Sequence, residues 1–300
     1  MYDLLKMTRP VNGLMTIIGV LIGVLLTAGI SGIKTIHFLF AVIAVFLINS
    51  AGNVFNDYID VEADKINKPT RPIPAGKVKR NTAFAFSIIL FILGNIFAFM
   101  INGLCALIAF INSILLIFYS THLQHKILIG NLTIAYLVGS VFLFGGSVFL
   151  DFEKIWSILI LSFLAMSATL AREIVKDLED IEGDKKSFLK KLTSKIITPI
   201  AERFEITTEG VKLRYSERVM IILAVACIFL AVIFSIFPYY YRIMSINYLF
   251  VILLSDLIFI SSAISLVREP KREKGYGRIS RRLKLAMFIA LIAFIVGVFI

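Results

Sequence analysis

Nine long apolar runs alternate with short polar segments along this chain. They cover about 11–30, 36–57, 81–101, 103–120, 131–150, 155–177, 217–237, 246–267 and 283–300. A helix needs roughly 20 apolar residues to cross hydrocarbon, and most of the runs approach that length. The pattern predicts an all-α, polytopic membrane protein with nine transmembrane helices around a central cavity. Composition agrees: 59% of the 300 residues are hydrophobic and the mean hydropathy is +0.90, against nearer half for a soluble domain. The first run is full length and lacks a small-residue cleavage site, so it reads as a span and not a signal peptide. Cys105 and Cys227 lie inside apolar runs and read as small buried hydrophobes. None of the three histidines has metal-ligand spacing.

The net charge of +11 matters through its placement. All but three of the 31 Lys and Arg fall at the N-terminus or in the even-numbered loops; Lys34, Lys154 and Arg242 are the exceptions. That bias predicts a cytoplasmic N-terminus, cytoplasmic even loops and a multi-pass protein of the cell membrane. The loop 65–80 holds Pro69, Pro72, Pro74 and Gly76, which no single helix accommodates. The loop 185–216 is long and mixed in charge. Both are expected to act as lids over one transmembrane domain spanning 1–300. The basic segment 268–282 reads as a topology signal and a contact for anionic lipid. Nothing calls for nucleic acid or for an obligate protein partner.

The chemistry concentrates in a repeated pattern. Asp57, Asp60, Glu62, Asp64 and Lys65 recur in the same register as Asp177, Asp180, Glu182, Asp184 and Lys185. Each copy closes an apolar run on the predicted cytoplasmic side, so the site should open to the cytoplasm. Residues i, i+3 and i+7 share a helix face, which would align like charges at a helix end where the macrodipole already disfavours anions. A cation must therefore neutralise them. The recurrence also suggests two internally similar four-helix units plus a ninth helix.

Clustered carboxylates bind hard divalent cations. Mg²⁺ takes one or two of them, keeps waters and completes its shell with phosphate oxygens. Arg9, Lys68, Arg71, Lys126, Arg172 and Lys176 are nearby cations suited to phosphate. A bundle carrying 26 Phe and 10 Tyr would receive an apolar tail. An allylic diphosphate combines these features: it ionises to a carbocation that aromatic faces stabilise and that must be kept from water. The residues thus point to prenyl transfer. A cation transporter is the rival of another class, but it predicts acids near the bilayer midplane and not along one edge.

These residues resemble the UbiA superfamily of intramembrane prenyltransferases. The family's first motif, N-D-x-x-D-x-x-x-D, matches Asn56, Asp57, Asp60 and Asp64; its second matches Asp177, Asp180 and Asp184. Asn67 through Gly76 resembles the N-x-x-R-P-L/I-P-x-G stretch, and Thr8-Arg9-Pro10-Val11-Asn12 the T-R-P-x-N entry. Tyr119-Ser120, Lys126 and Gly130-Asn131 resemble a further stretch, although Gln124-His125 occupies the region where the family's lysine is expected. Lys191-Leu192-Thr193-Ser194 departs from the family's T-L-P segment. The resemblance covers roughly residues 5–185. The second motif looks most like an archaeal branch that joins geranylgeranyl diphosphate to geranylgeranylglyceryl phosphate, forming the second ether bond of archaeal lipids.

The resemblance implies roles. Asn56, Asp60 and Asp64 would hold one Mg²⁺, and Asp180 and Asp184 a second. Asp57 and Asp177 would contact metal waters or basic side chains. Arg9, Arg71 and Lys126 would grip the diphosphate. Asn12 and Tyr119 would line the reacting centre, and Lys68, Arg172 or Lys176 would hold the acceptor phosphate. Glu173 or the leaving diphosphate would take the acceptor proton. An aromatic acceptor, as in quinone or haem biosynthesis, is the alternative reading. Asp256, Asn49, Asn95 and Asn112 read as interhelical polar groups, and Gly145-Gly146 as a site of close packing or a kink.

Overall fold

The structure, a computed structural model, describes residues 2–124, 126–195, 205–268 and 275–299; the side chains of Ile127, Phe152, residues 180–216 and Phe299 lie outside that description. Helices α1 (Tyr2–Met7), α2 (Pro10–Ile33), α3 (Ile36–Ile59), α4 (Val61–Asn67), α5 (Arg80–Phe99) and α6 (Gly103–Phe118) come first. They are followed by α7 (Ile127–Gly146), α8 (Ile155–Lys195), α9 (Glu205–Ser235), α10 (Phe237–Tyr240), α11 (Ile246–Arg268) and α12 (Gly275–Phe299). Among the described residues, eight helices are long and apolar enough to cross a membrane. Lys185–Ser216 was expected as a loop, yet α8 continues to Lys195 and α9 begins at Glu205. That segment has helical periodicity and lacks proline until Pro199, so little stops α8 earlier.

Packing follows the rule for helices in lipid, where small residues let backbones approach and few polar groups bind across. Helix α3 lies along α5 through Ala41, Ala44 and Ala51 against Ala83, Gly94 and Ala98, all fully buried or nearly so. A Cβ on Gly94 would stand 2.7 Å from Ile48 Cγ1. Helices α2 and α7 meet more tightly: a Cβ on Gly145 would come within 2.6 Å of the Val20 carbonyl oxygen. Gly145 therefore marks a backbone-to-backbone crossing. Farther along, α2 is broken at Gly29 (φ 61, ψ −158), a conformation essentially confined to glycine.

The core divides in two. One cluster joins α2, α3, α5, α6 and the end of α7; the other joins α8, α9, α11 and α12. A third cluster, including Ile22, Phe142, Leu161, Tyr248 and Phe294, bonds the halves. Polar side chains bridge neighbours at 2.9 Å from Asn95 to Ser113, from Asn112 to Ser140 and from Ser162 to the Gly139 carbonyl. Each such bond contributes on the order of 0.6 kcal/mol. Asn49 is a correction: it accepts from Asn53 on its own helix and, among the described residues, makes no bond to another helix. At the end of the bundle away from the acidic motifs, Asn102 caps α6 and donates to the Ser147 and Val148 carbonyls, while Lys154 reaches the Thr27 carbonyl.

Candidate functional site

Proline after Arg9 disfavours continuing α1 in helical geometry. Arg9 turns into the left-handed region (φ 50, ψ 64), and Pro10 opens α2. The break is pinned by Asn53 of α3, which donates to the Thr8 carbonyl at 3.3 Å. It aims the Arg9 guanidinium at the end of α3, where Nη2 meets Asp57 Oδ1 at 2.6 Å.

Within the first acidic triplet, Asp57 and Asp64 meet one guanidinium and so share a side, as the spacing predicts, while Asp60 pairs with amides. Asp60 (φ −79, ψ 8) separates α3 from α4, although its N–H still donates to the Asn56 carbonyl and its own carbonyl accepts from the Asp64 N–H. Asp57 and Asp64 both end up 5% exposed. They share one cation: Arg71 Nη1 lies 3.0 Å from Asp57 Oδ1 and 2.5 Å from Asp64 Oδ2. Arg71 is delivered by the proline-rich segment, which folds as turns and buries Ile73 and Val78 in the same core as α3 and α5. Guanidinium groups thus neutralise the two buried acids. Glu62 points away, and its hydrogen bond and ion pair with Lys65 hold its carboxyl below the usual range.

Asp60 is different. Its two oxygens accept from Asn56 Nδ2 and Gln124 Nε2, each at 2.6 Å. Among the described residues no Lys or Arg forms an ion pair with it. The half-buried carboxylate is held by neutral amides, and the Asn56 carboxamide oxygen lies beside it. Ser120 donates to that oxygen at 3.4 Å.

Helix α8 carries the second motif. Glu173 pairs with Arg172 and, at 3.6 Å, with Lys176. Asp177 accepts from Asn131 Nδ2 at 2.6 Å, tying α8 to the start of α7. Asp180 and Asp184 follow on the unbroken helix, and their side chains lie outside the described residues. Tyr119 opens the π-helical turn that, with the start of α7, links the motifs: Gln124 reaches Asp60 and Asn131 reaches Asp177. Asn12, Lys68 and Lys126 are exposed, and the two lysines form no ion pair among the described residues. Asn12 sits in the first turn of α2, one turn beyond Arg9.

Among the described residues no three acidic, His or Cys side chains lie close enough to hold a metal by themselves. The donors present nonetheless fit Mg²⁺, which needs only one or two carboxylates when waters and phosphate supply the rest. They are hard oxygens, and Asp60 is held by neutral amides. Two residues carry more than their sequence suggests. Gln124 reaches Asp60 from a π-helical turn, Tyr119–Leu123, and its position four residues after Ser120 was the available signal. Gly130 has no room for a Cβ, which would lie 2.6 Å from the Leu123 carbonyl oxygen, so it lets α7 start close to that turn.

The chain belongs to the UbiA prenyltransferase family, whose sequence profile matches residues 16–292. By family it is a membrane prenyltransferase. It is 43% identical over 256 residues to digeranylgeranylglyceryl phosphate synthase of Methanosarcina mazei, covering 85% of this chain and 80% of that protein. The protein of that name from Methanosphaera stadtmanae is 36% identical, with 98% of both chains covered. A solved structure from work on digeranylgeranylglyceryl phosphate synthase in membranes superposes with a TM-score of 0.78 at 36% identity, covering 99% of this chain and 98% of the other. A UbiA homolog from Archaeoglobus fulgidus, bound to GPP and Mg²⁺, shares the fold (TM-score 0.57, 19% identity, 96% and 99% covered).

Proposed function

We propose that this protein transfers a geranylgeranyl group from geranylgeranyl diphosphate to the free hydroxyl of geranylgeranylglyceryl phosphate, forming the second ether bond of an archaeal lipid. The observation that supports this reading is that one short stretch of chain holds an acid of each motif: Gln124 meets Asp60 at 2.6 Å, and Asn131, seven residues on, meets Asp177 at 2.6 Å. One diphosphate fits such a centre, and the named relatives support the choice of acceptor.

Asn56, Asp60 and Asp64 would hold one Mg²⁺, and Asp180 and Asp184 would hold a second. Bound Mg²⁺ neutralises the diphosphate and makes it a better leaving group. Arg9 and Arg71 each keep N–H donors beyond those spent on Asp57 and Asp64, because a guanidinium carries five. Those donors and Lys126 grip the diphosphate. Asp57 and Asp177 orient arginine, amide and metal-bound water. The allylic C–O bond breaks, and the Tyr119 ring and Asn12 line the cationic carbon. The acceptor hydroxyl attacks that carbon, and its proton passes to Glu173 or to the departing diphosphate. Lys68, Arg172 and Lys176 hold the acceptor phosphate.

In this reading α12 is the ninth span and the N-terminus is cytoplasmic. The site then opens to the cytoplasm, in line with the distribution of Lys and Arg. The segments 65–80 and 185–216 cover it, in one domain over 1–300 that needs no protein partner. The test is a mass spectrum of the product made by protein in vesicles from labelled geranylgeranyl diphosphate, Mg²⁺ and either geranylgeranylglyceryl phosphate or an aromatic acceptor. The doubly alkylated glyceryl phosphate is expected, and chelation of Mg²⁺ stops its formation. Prenylation of the aromatic acceptor alone would overturn the assignment.

A further inference from the structure

Three aspartates make up the first motif, and the structure treats them unequally. Asp57 and Asp64 are buried against Arg9 and Arg71. Among the described residues Asp60 meets only amides, at 2.6 Å from Asn56 and at 2.6 Å from Gln124. Gln124 comes from a different part of the chain, 64 residues away. Its placement has a backbone cause. Helix α6 widens into a π-helical turn over Tyr119–Leu123, closed by the Gln124 N–H donating to the Tyr119 carbonyl at 3.0 Å. Such a turn shifts the following residue round the axis relative to an α-helix. Tyr119, Ser120 and Gln124 therefore face the same side, toward the end of α3, where Ser120 meets Asn56 and Gln124 meets Asp60.

We infer that Gln124 is a positioning residue for the metal-binding carboxylate: it fixes the Asp60 rotamer through an uncharged donor and so leaves the negative charge available to a divalent cation. A lysine there would fix the carboxylate equally well but would neutralise it. An apolar residue would leave the charge but free the rotamer. Partners of metal ligands orient them and tune affinity in this way. The inference rests on the reading of Asp60 as a Mg²⁺ ligand, and goes beyond it by naming what sets the affinity of that ligand.

The test uses the full chain in detergent without substrate. Melting temperature is followed while Mg²⁺ is raised, and Mn²⁺ binding is followed by electron paramagnetic resonance. Gln124→Met keeps the volume and removes the donor. It is expected to leave the metal-free melting temperature unchanged, to raise the Mg²⁺ midpoint about tenfold, and to let turnover recover as Mg²⁺ is raised. Gln124→Ala, at a half-exposed position, gives the same shift by a second route should the methionine variant fail to fold. A wild-type Mg²⁺ midpoint retained in a folded variant overturns the role of Gln124 alone. Absence of any Mg²⁺ or Mn²⁺ response in the wild-type protein overturns the Asp60 reading, and this inference with it.

Discussion

Arg71 returns to Asp64, seven residues upstream, and closes on its Oδ2 at 2.5 Å while the same nitrogen holds Asp57. One guanidinium thus clasps α3, α4 and the proline-rich turn together. Removing it leaves two acids, each 5% exposed, with Arg9 alone to balance them. Arg71→Ala is expected to destabilise the fold by about 3 kcal/mol, the scale of an orphaned buried charge. Arg71→Lys should recover only part of this, because an ammonium lacks the planar fork. Melting curves in detergent provide the check, and an unchanged melting temperature in Arg71→Ala would refute the clasp.

Asp60 carries no such structural duty. Asp60→Ala is expected to keep the wild-type melting temperature and to lower turnover by at least about a hundredfold, since several kcal/mol of charge stabilisation is lost. Asp180→Ala should behave alike. Product formation measured on folded variants decides the matter, and an active Asp60→Ala protein would end the metal assignment.

Gly145 lies where α2 and α7 cross. A Cβ there would meet the Val20 carbonyl oxygen at 2.6 Å and the Val20 Cα at 2.8 Å, both backbone atoms that no rotamer change can move. Gly145→Ala is expected to cost about 1–3 kcal/mol through overpacking. Gly103→Ala, with open space around it, serves as the control in the same melting assay.

Asp256 is an intramembrane acid with an ordinary explanation. It is 6% exposed and accepts from Ser235 at 2.7 Å, while Tyr248 donates to the Ser235 carbonyl. That cluster sits at the end of α9 remote from Glu217, within the junction of α9 and α11. Asp256→Asn keeps an acceptor for Ser235 and removes the cost of a buried charge. Unchanged turnover and an equal or higher melting temperature are expected; a large loss of turnover with the fold intact would return Asp256 to the list of functional acids.

Hydrophobic run length revealed most of the helices, because crossing lipid leaves a helix little freedom in composition. It could not reveal the break at Asp60. The two acidic motifs have the same register, yet α3 stops within the first and α8 runs straight through the second. The difference comes from tertiary pairing, with Arg9 and Arg71 pulling Asp57 and Asp64 inward, and no local propensity encodes that. The roles of Arg9 and Arg71 were half legible: their affinity for anions was plain, but the partners they meet here are aspartates. Gln124 gave only the faint signal of its place four residues after Ser120, and the π-helical turn is what brings it to Asp60. Asn95 and Asn112 were readable as bridges because a carboxamide in lipid must find a partner.

The stitches from Asn102 to Ser147 and Val148, and from Lys154 to Thr27, give the bundle a fixed base. Any breathing that admits two long-tailed substrates is then confined to the opposite rim, where α6 loosens into its wide turn. Amide exchange should accordingly be slow around residues 102–105 and 147–148, slow again around 57–64 where Arg71 clasps the acids, and faster at the wide turn 119–123, so that the molecule works like a cup gripped at its foot and yielding at one point of its lip.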